Sequence, residues 1–410
     1  MTSIDIDLLA PRTFAAGPPH AVFAQLRRTD PVFRHEHGDA PPFWVLTRHA
    51  DVVAVTRDTA TFASETNGTL LAARPAAGRA DGRRTMNNLD GPEHARLRAV
   101  TSRALVAHRA DALARRVRTL CTVTLDRVCE RGHGDFVGDL ATEFSLAVLC
   151  DLLGVPDAED RARVRRLTTV LSDPLEQDDP RLVERAVMEI FAYAADLARW
   201  RERAPGDDLV SLLLRAGVDG DRLTPGEFEL MFLLLLTAGH LTTQSLLAGA
   251  MQAFFEFPAQ WYALVEDPVL TDAAVEEMLR WVSPVMQFQR TAVRDTRLHG
   301  TPLAAGDRVA MYYIAANRDE RLFPDPDRFD LTRTPGGQVS FGGGGPHSCL
   351  GSNLARLQAR TFFEELARRM PDLEPAGPVD HMGSTFLNAV RAMPVRFSPS
   401  APQRLSPRSG

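Results

Sequence analysis

The sequence contains no lysine, so all 47 of its basic residues are arginine, set against 53 acidic residues for a net charge of −6. A mildly acidic chain offers no broad basic face to a polyanion, which argues against general nucleic-acid binding. Together with the abundance of alanine, the arginine bias reads as the base composition of a GC-rich bacterial genome. Cysteine is scarce: Cys121, Cys129, Cys150 and Cys349 are the only four, and they lack the paired spacing of a zinc site. The first three lie in helical stretches and read as small buried hydrophobes rather than a disulfide framework. Long hydrophobic runs are missing. The greasiest, "LMFLLLLTAG", is about half of what a membrane span needs. The start, "MTSIDIDLLAPRTF", has neither the basic residues nor the apolar core of a signal peptide. A soluble, cytoplasmic protein with no membrane span is expected. Internal repeats and low-complexity linkers are also lacking.

What the chain has is length and helical pattern. At 410 residues with 44% hydrophobic composition it can bury a large core. Apolar residues recur at three and four through most of 92–283 and again over 350–370, which predicts helices. In "LTPGEFELMFLLLL", Thr224, Pro225 and Glu227 form a capping-box start. The helix it opens reads to Phe255 and is apolar nearly all round, so it should cross the centre of the molecule. The parts near 40–60, 286–315 and 380–398 read as β-rich, the first as a strand, a turn and a short helix. "ETNGTLLAARPAAGRADGRRTMNN" (65–88) reads as a long loop of the kind that binds ligands. The elements interleave, so the expectation is a mainly α, α+β chain forming one unit over 1–400, with a disordered tail over 401–410.

The densest chemistry lies in "SFGGGGPHSCLGSNLARL" (340–357). The glycine run matches neither a dinucleotide nor a phosphate-binding loop. A zinc site has only His347 and Cys349 locally. A buried cysteine after a flexible turn remains as the bland reading. The other is a metal that accepts one sulfur and brings its remaining ligands with it, that is, a haem. Glycine would let backbone pass close under a flat ring. A helix start and nearby amides would lower the thiol pKa and tune the sulfur.

At this point the chain resembles the cytochrome P450 family over nearly its whole length. The signature loop is matched by Phe341, Gly345, His347, Cys349 and Gly351. Phe341 sits one residue further from the cysteine than in the commonest bacterial version, in a form similar to actinobacterial members acting on sterols and branched lipids. "AVEEMLR" supplies the E-x-x-R pair, Glu277 and Arg280, with Arg328 of "FPDPDRF" as the implied third member. "LDGPEHARLRAV" supplies His94 and Arg98, which with Arg290 and His347 are the implied partners of the haem propionates. The resemblance implies a P450 fold with a long helix over haem b, and Cys349 as the thiolate ligand.

In "LLTAGHLTTQSLL" the resemblance implies that small Ala238 and Gly239 leave room for oxygen and that Thr242 is the oxygen-side hydroxyl. The family's usual acid before the threonine is here Leu241, which carries no proton. His240 is expected to point away. The substrate segments of the family map onto 65–88, 165–185, the long helix and "SPVMQFQ" and "GSTFLNAV". The implied lining is apolar: Leu235, Leu236, Leu241, Val285, Met286, Phe288, Phe386 and Leu387, with Gln287 and Asn388 available for a polar group. That suits a largely hydrophobic ligand. Electrons would come from a ferredoxin and its reductase, docking on Arg103, Arg109, Arg356 and Arg360. Two activities stay open: a monooxygenase that hydroxylates or epoxidises a hydrophobic small molecule, or a non-standard haem-thiolate protein. The second class covers peroxide-driven oxidation, coupling or rearrangement, nitric-oxide reduction, or a non-catalytic module.

Overall fold

The computed structural model describes residues 4, 6–37, 40–71, 84–107, 110–172, 179–218 and 221–403. Residues 72–83 of the expected binding loop, 173–178 of the expected substrate region, Arg109 and the tail beyond 403 lie outside the described residues.

The long central helix, called α6 below, runs Pro225–Glu256, 32 residues or about 48 Å. Its start is the capping box read from the sequence: the Glu227 amide donates to Thr224 Oγ1 at 3.3 Å, and the Thr224 amide donates to Glu227 Oε2 at 2.7 Å. It is long and apolar enough to cross a membrane, yet most of it is buried inside the protein. Two apolar cores divide it. Leu246, Met251 and Phe254 pack with Phe362, Phe363 and Met278. Phe228, Phe232 and Leu236 pack with Tyr193, Ile190 and Leu149.

Five helices before α6 matter for the site: α1 (His49–Arg57), α2 (Gly91–Ala107), α3 (Ala110–Asp126), α4 (Glu143–Leu153) and α5 (Pro180–Arg203). Two follow it: α7 (Thr271–Val282) and α8 (Ser352–Arg369). Close approach of α6 to its neighbours depends on glycine. A Cβ on Gly239 would lie 3.0 Å from Leu149 Cδ1 of α4, and one on Gly249 would lie 2.7 Å from Val282 Cγ1 of α7.

A five-stranded sheet stands beside the helices. Its strands are β1 (Val32–His35), β2 (Phe43–Leu46), β3 (Phe62–Ala63), β4 (Gln287–Ala292) and β5 (Arg308–Tyr312), in the order β1-β2-β5-β4-β3. Only the β2–β5 pairing is parallel, with Val309 opposite Trp44. β4 lies antiparallel to β5, with Met311 opposite Phe288. The chain enters β4 from α7, which ends at Ser283 with φ 43, and the Asn388 side-chain Nδ2 donates to the freed Val282 carbonyl at 2.6 Å. This clasp brings the C-terminal segment against the start of β4, where Val285 bridges Leu387.

Candidate active site

The E-x-x-R pair is fully interior. Arg280 donates to both oxygens of Glu277 at 2.7 and 2.8 Å, and to the carbonyls of Asn317 and Pro326 at 3.0 and 2.9 Å. The third member differs from the sequence expectation. Arg333, not Arg328, closes on Glu277 at 3.2 Å. The Arg328 side chain is 63% exposed and lies 3.6 Å from Asp330. The meander presents the Arg328 carbonyl to the buried cluster, where it accepts from Arg280 and Arg333, so its side chain is turned outward.

The cysteine loop is folded by its own backbone. The Cys349 amide donates to the Phe341 carbonyl at 3.0 Å and the Ser348 amide to the Gly345 carbonyl at 3.2 Å. Gly342, Gly343, Gly344 and Gly345 all have positive φ. The tight approach that Gly345 permits is to α1: a Cβ there would sit 2.8 Å from the Thr56 carbonyl oxygen. Phe341 lies under the Arg356 guanidinium at 4.6 Å.

Cys349 is exposed, whereas Cys121, Cys129 and Cys150 are buried. Its thiol is nonetheless desolvated by the residues around it. That desolvation raises its pKa above the ordinary value, against the opposing pull of the Gly351 amide, Arg98 and Arg356. The net direction is opposite to the one the sequence suggested, because desolvation outweighs the helix start and amides. A Cβ at Gly351 would stand in ordinary contact with Sγ, at 3.8 Å, so the approach of this amide to the sulfur does not itself require glycine.

The four implied propionate partners converge on this loop. The rings of His94 and His347 lie 4.1 Å apart. Arg98 donates to the Ser348 carbonyl at 2.8 Å. Arg290 is 3% exposed, and its charge is close enough to help depress His94. Burial, then the charges of His347 and Arg98, lower His94 to about 4. His347 is anchored by a residue the sequence reading missed. Its Nε2 lies 3.0 Å from Asp90 Oδ1, and Asp90 also accepts the Ser64 and Glu65 amides at 2.6 and 2.9 Å. Burial pushes Asp90 up, but the His347 bond and the two amides outweigh it and hold the carboxyl below its usual range. In the sequence Asp90 reads only as part of a turn before a helix.

These residues fit a haem. Among the described residues no group of three or more His, Cys, Asp or Glu is placed to hold a metal ion. Among the described residues the buried Nε of Arg290 has no hydrogen-bond partner, and its Nη1 reaches only the Gln289 carbonyl at 2.9 Å. A buried guanidinium without a carboxylate is costly, and a propionate would satisfy it.

On α6, Ala238 is exposed in the middle of an otherwise buried helix, and Thr242 donates to the Ala238 carbonyl at 2.7 Å. Gly239 does not open space as expected, since its missing side chain admits Leu149. His240 points away: its Nδ1 lies 2.8 Å from Ser145 Oγ of α4, and burial, then Arg165, lower it to about 4. Leu241 packs with Leu387 and Ala389, flanked by Val285, Met382 and Phe386. Phe288 lies 5.4 Å from Phe386. Leu235 is half-buried beside the α5–α6 core.

Two expected lining residues are core instead. Met286 is 1% exposed and packs with Phe14, Phe23 and Tyr312, held there in the segment before β4 by its amide on the Phe386 carbonyl and its carbonyl on the Ile314 amide. Leu236 joins the α5–α6 core. Asn388 is spent on the Val282 carbonyl, and Gln287 is buried with its Nε2 3.5 Å from the Thr385 carbonyl. Of the expected basic patch, Arg356 pairs with Glu276 and Arg360 with Asp272, while Arg103 donates to the Gly217 carbonyl.

The family model described as Cytochrome P450 matches residues 260–370, which span α7, the meander and the cysteine loop. A steroid C26-monooxygenase of Rhodococcus jostii is 35% identical over 95% of this chain and 84% of its own. The chain belongs to the cytochrome P450 family. A methyl-branched lipid omega-hydroxylase of Mycobacterium bovis is 37% identical over 92% of this chain and 90% of its own. A Mycobacterium marinum cytochrome P450 in complex with pseudoionone superposes with a TM-score of 0.86 at 34% identity, covering 97% of this chain and all of that one. The protein is thus a mainly helical P450 whose cofactor is protoporphyrin IX haem on a cysteine thiolate. It is an oxidoreductase, a monooxygenase of hydrophobic small molecules served by a redox partner. The relatives favour this class over the non-standard haem-thiolate chemistries that Leu241 left open.

Proposed function

We propose that Cys349 is the haem ligand, that residues 1–400 act as one cytoplasmic haem-thiolate unit, and that it oxidises an unactivated carbon of a steroid-, terpenoid- or branched-lipid-like molecule. The observation that carries this is the convergence of exposed Cys349, buried Arg290 and the His94–His347 pair on one loop. When bound, the haem supplies dioxygen activation and insertion of one oxygen atom into a C–H or C=C bond. The chain's own residues do the rest. Arg98, Arg290, His94 and His347 hold the carboxylates of the cofactor, with Phe341, Gly345 and Gly351 shaping the loop around the sulfur. Glu277, Arg280 and Arg333 fix the meander. Thr242 keeps its proton on the Ala238 carbonyl and offers its oxygen lone pairs to the open side of α6.

The substrate class is supported by two relatives, named for steroid C26 and branched-lipid omega oxidation, and by an apolar lining of Leu235, Val285, Phe288, Phe386 and Leu387. A ferredoxin with its reductase is the proposed electron donor. Titrating the ferric protein with terpenoids, steroids, branched fatty acids and macrolides tests the reading. A shift of the haem absorption toward high spin with an apolar compound supports it. Tight binding only of polar macrolides would contradict it.

A further inference from the structure

Strand β4 carries Arg290 between two polar residues, Gln289 and Thr291, which alternation turns to the other face. Both of them bond the segment 64–71, the continuation of β3. The Asn67 Nδ2 donates to Thr291 Oγ1 at 3.1 Å. Gln289 does far more. Its Nε2 is shared among the carbonyls of Asn67, Gly68 and Leu70 at 3.1, 3.3 and 2.9 Å. Its backbone amide donates to the Thr69 carbonyl at 2.9 Å. Its Oε1 accepts from Arg308 Nε at 2.9 Å, and Arg308 also donates to the Leu71 carbonyl. Every carbonyl from Asn67 to Leu71 is therefore held by two residues of the sheet.

The other end of the segment is tied to the cysteine loop. The Ser64 and Glu65 amides donate to Asp90 Oδ2, whose other oxygen lies 3.0 Å from His347 Nε2. The middle is fixed as well, since the Thr69 amide and hydroxyl both donate to Asn88 Oδ1 at 2.9 Å. The segment is thus a strap between His347 on the loop and the strand that bears Arg290. Gln289 is 1% exposed, so each of its polar groups needs a protein partner, and the strap supplies them. Without those donors the strap carbonyls would be left to find others, and the two sides of the cofactor's carboxylate site would lose their common tie.

We propose that Gln289 is a positioning residue for the haem: through the strap it fixes where Arg290 stands relative to His347. The role rests on the haem-ligand reading above and adds how the carboxylate partners from distant parts of the chain are kept in one geometry. Gln289 itself touches neither the cofactor nor the substrate.

The test uses the full-length holoenzyme. Haem release is read as transfer to excess apomyoglobin, the ferric–ferrous potential by spectroelectrochemistry, and stability as the unfolding midpoint in denaturant. Gln289→Glu keeps the shape and loses both amide donors. It should release haem about tenfold faster or more. Its potential should fall, because carboxylates less well compensated by Arg290 favour the ferric state. Trp261→Phe is the structural control. It removes the buried bond from Trp261 Nε1 to the Pro371 carbonyl, outside the strap, and should lower the midpoint while leaving release and potential as in the wild type. Should Gln289→Glu fail to fold, Gln289→Met and Thr291→Val carry the same expectation. A folded variant that releases haem within about twofold of the wild-type rate, or whose potential does not move, overturns the inference and leaves the haem-ligand reading standing. If the wild type shows no thiolate-type band under carbon monoxide, that reading fails and this inference with it.

Discussion

Arg328 and Arg333 are the same residue type on the same meander, and only Arg333 reaches the buried Glu277 carboxylate. Glu277 keeps Arg280 when Arg333 is removed, but the meander loses the Arg333 bonds to the Pro324, Asp325 and Arg328 carbonyls. Arg333→Ala should therefore cost about 1–2 kcal/mol in denaturant unfolding, and Arg328→Ala less than about 0.5 kcal/mol. Comparable losses would contradict the corrected assignment. His240 gives a prediction in pH. Its folded value is about 4, below the ordinary 6.5 of the unfolded chain. The folded state thus resists protonation, so stability is intact above pH 6.5 and declines as pH falls from there through about 4. Burial is complete, so the decline is on the order of 3 kcal/mol. His240→Asn, which can keep the Ser145 bond, should flatten that limb of the stability–pH curve. An unchanged limb would place the acid lability elsewhere. At this scale Cys349, His94, Arg98 and Arg290 were legible because local motifs carry them. Asp90 was not, because its partners Ser64 and His347 are distant in sequence and meet it only in the fold.

The glycine loop and α1 form an element-scale unit. Gly345 has φ +79 and its Cα passes so near α1 that a Cβ would lie 2.8 Å from backbone oxygen. Gly345→Ala meets both strain and overlap, and should cost about 2 kcal/mol or more in unfolding free energy while loosening haem retention. A variant as stable as wild type would show that the loop can leave α1 freely. The sequence showed that glycine was needed here but not for what: a flat ring was the expected neighbour, and the close contact is a helix. The central helix was more legible. Its capping box and apolar surround are local properties, and its boundaries came within a residue of those observed. The roles of Gly239 and Gly249 were not legible, since each depends on one side chain of another helix, Leu149 or Val282.

At the scale of the whole molecule, the parallel pairing of Phe43–Leu46 with Arg308–Tyr312 could not be read from either strand alone. Register between strands that far apart in sequence is fixed by which face the core demands. The proposed ferredoxin face is also a property of the assembled surface. With Arg356 and Arg360 paired to carboxylates, its positive field is reduced. Ferredoxin-driven reduction should still slow as salt rises from low to physiological strength, by a few-fold rather than by orders of magnitude. A rate indifferent to salt would rule out electrostatic docking there.

The central claim is that one sulfur, Cys349, holds the haem. The most direct measurement is the absorption spectrum of the reduced protein under carbon monoxide, for the wild type and for Cys349→Ser, with folding checked by circular dichroism. The account predicts a thiolate-type band in the wild type and its loss in a folded Cys349→Ser. A thiolate-type band surviving that substitution, or none in the haem-loaded wild type, would contradict it.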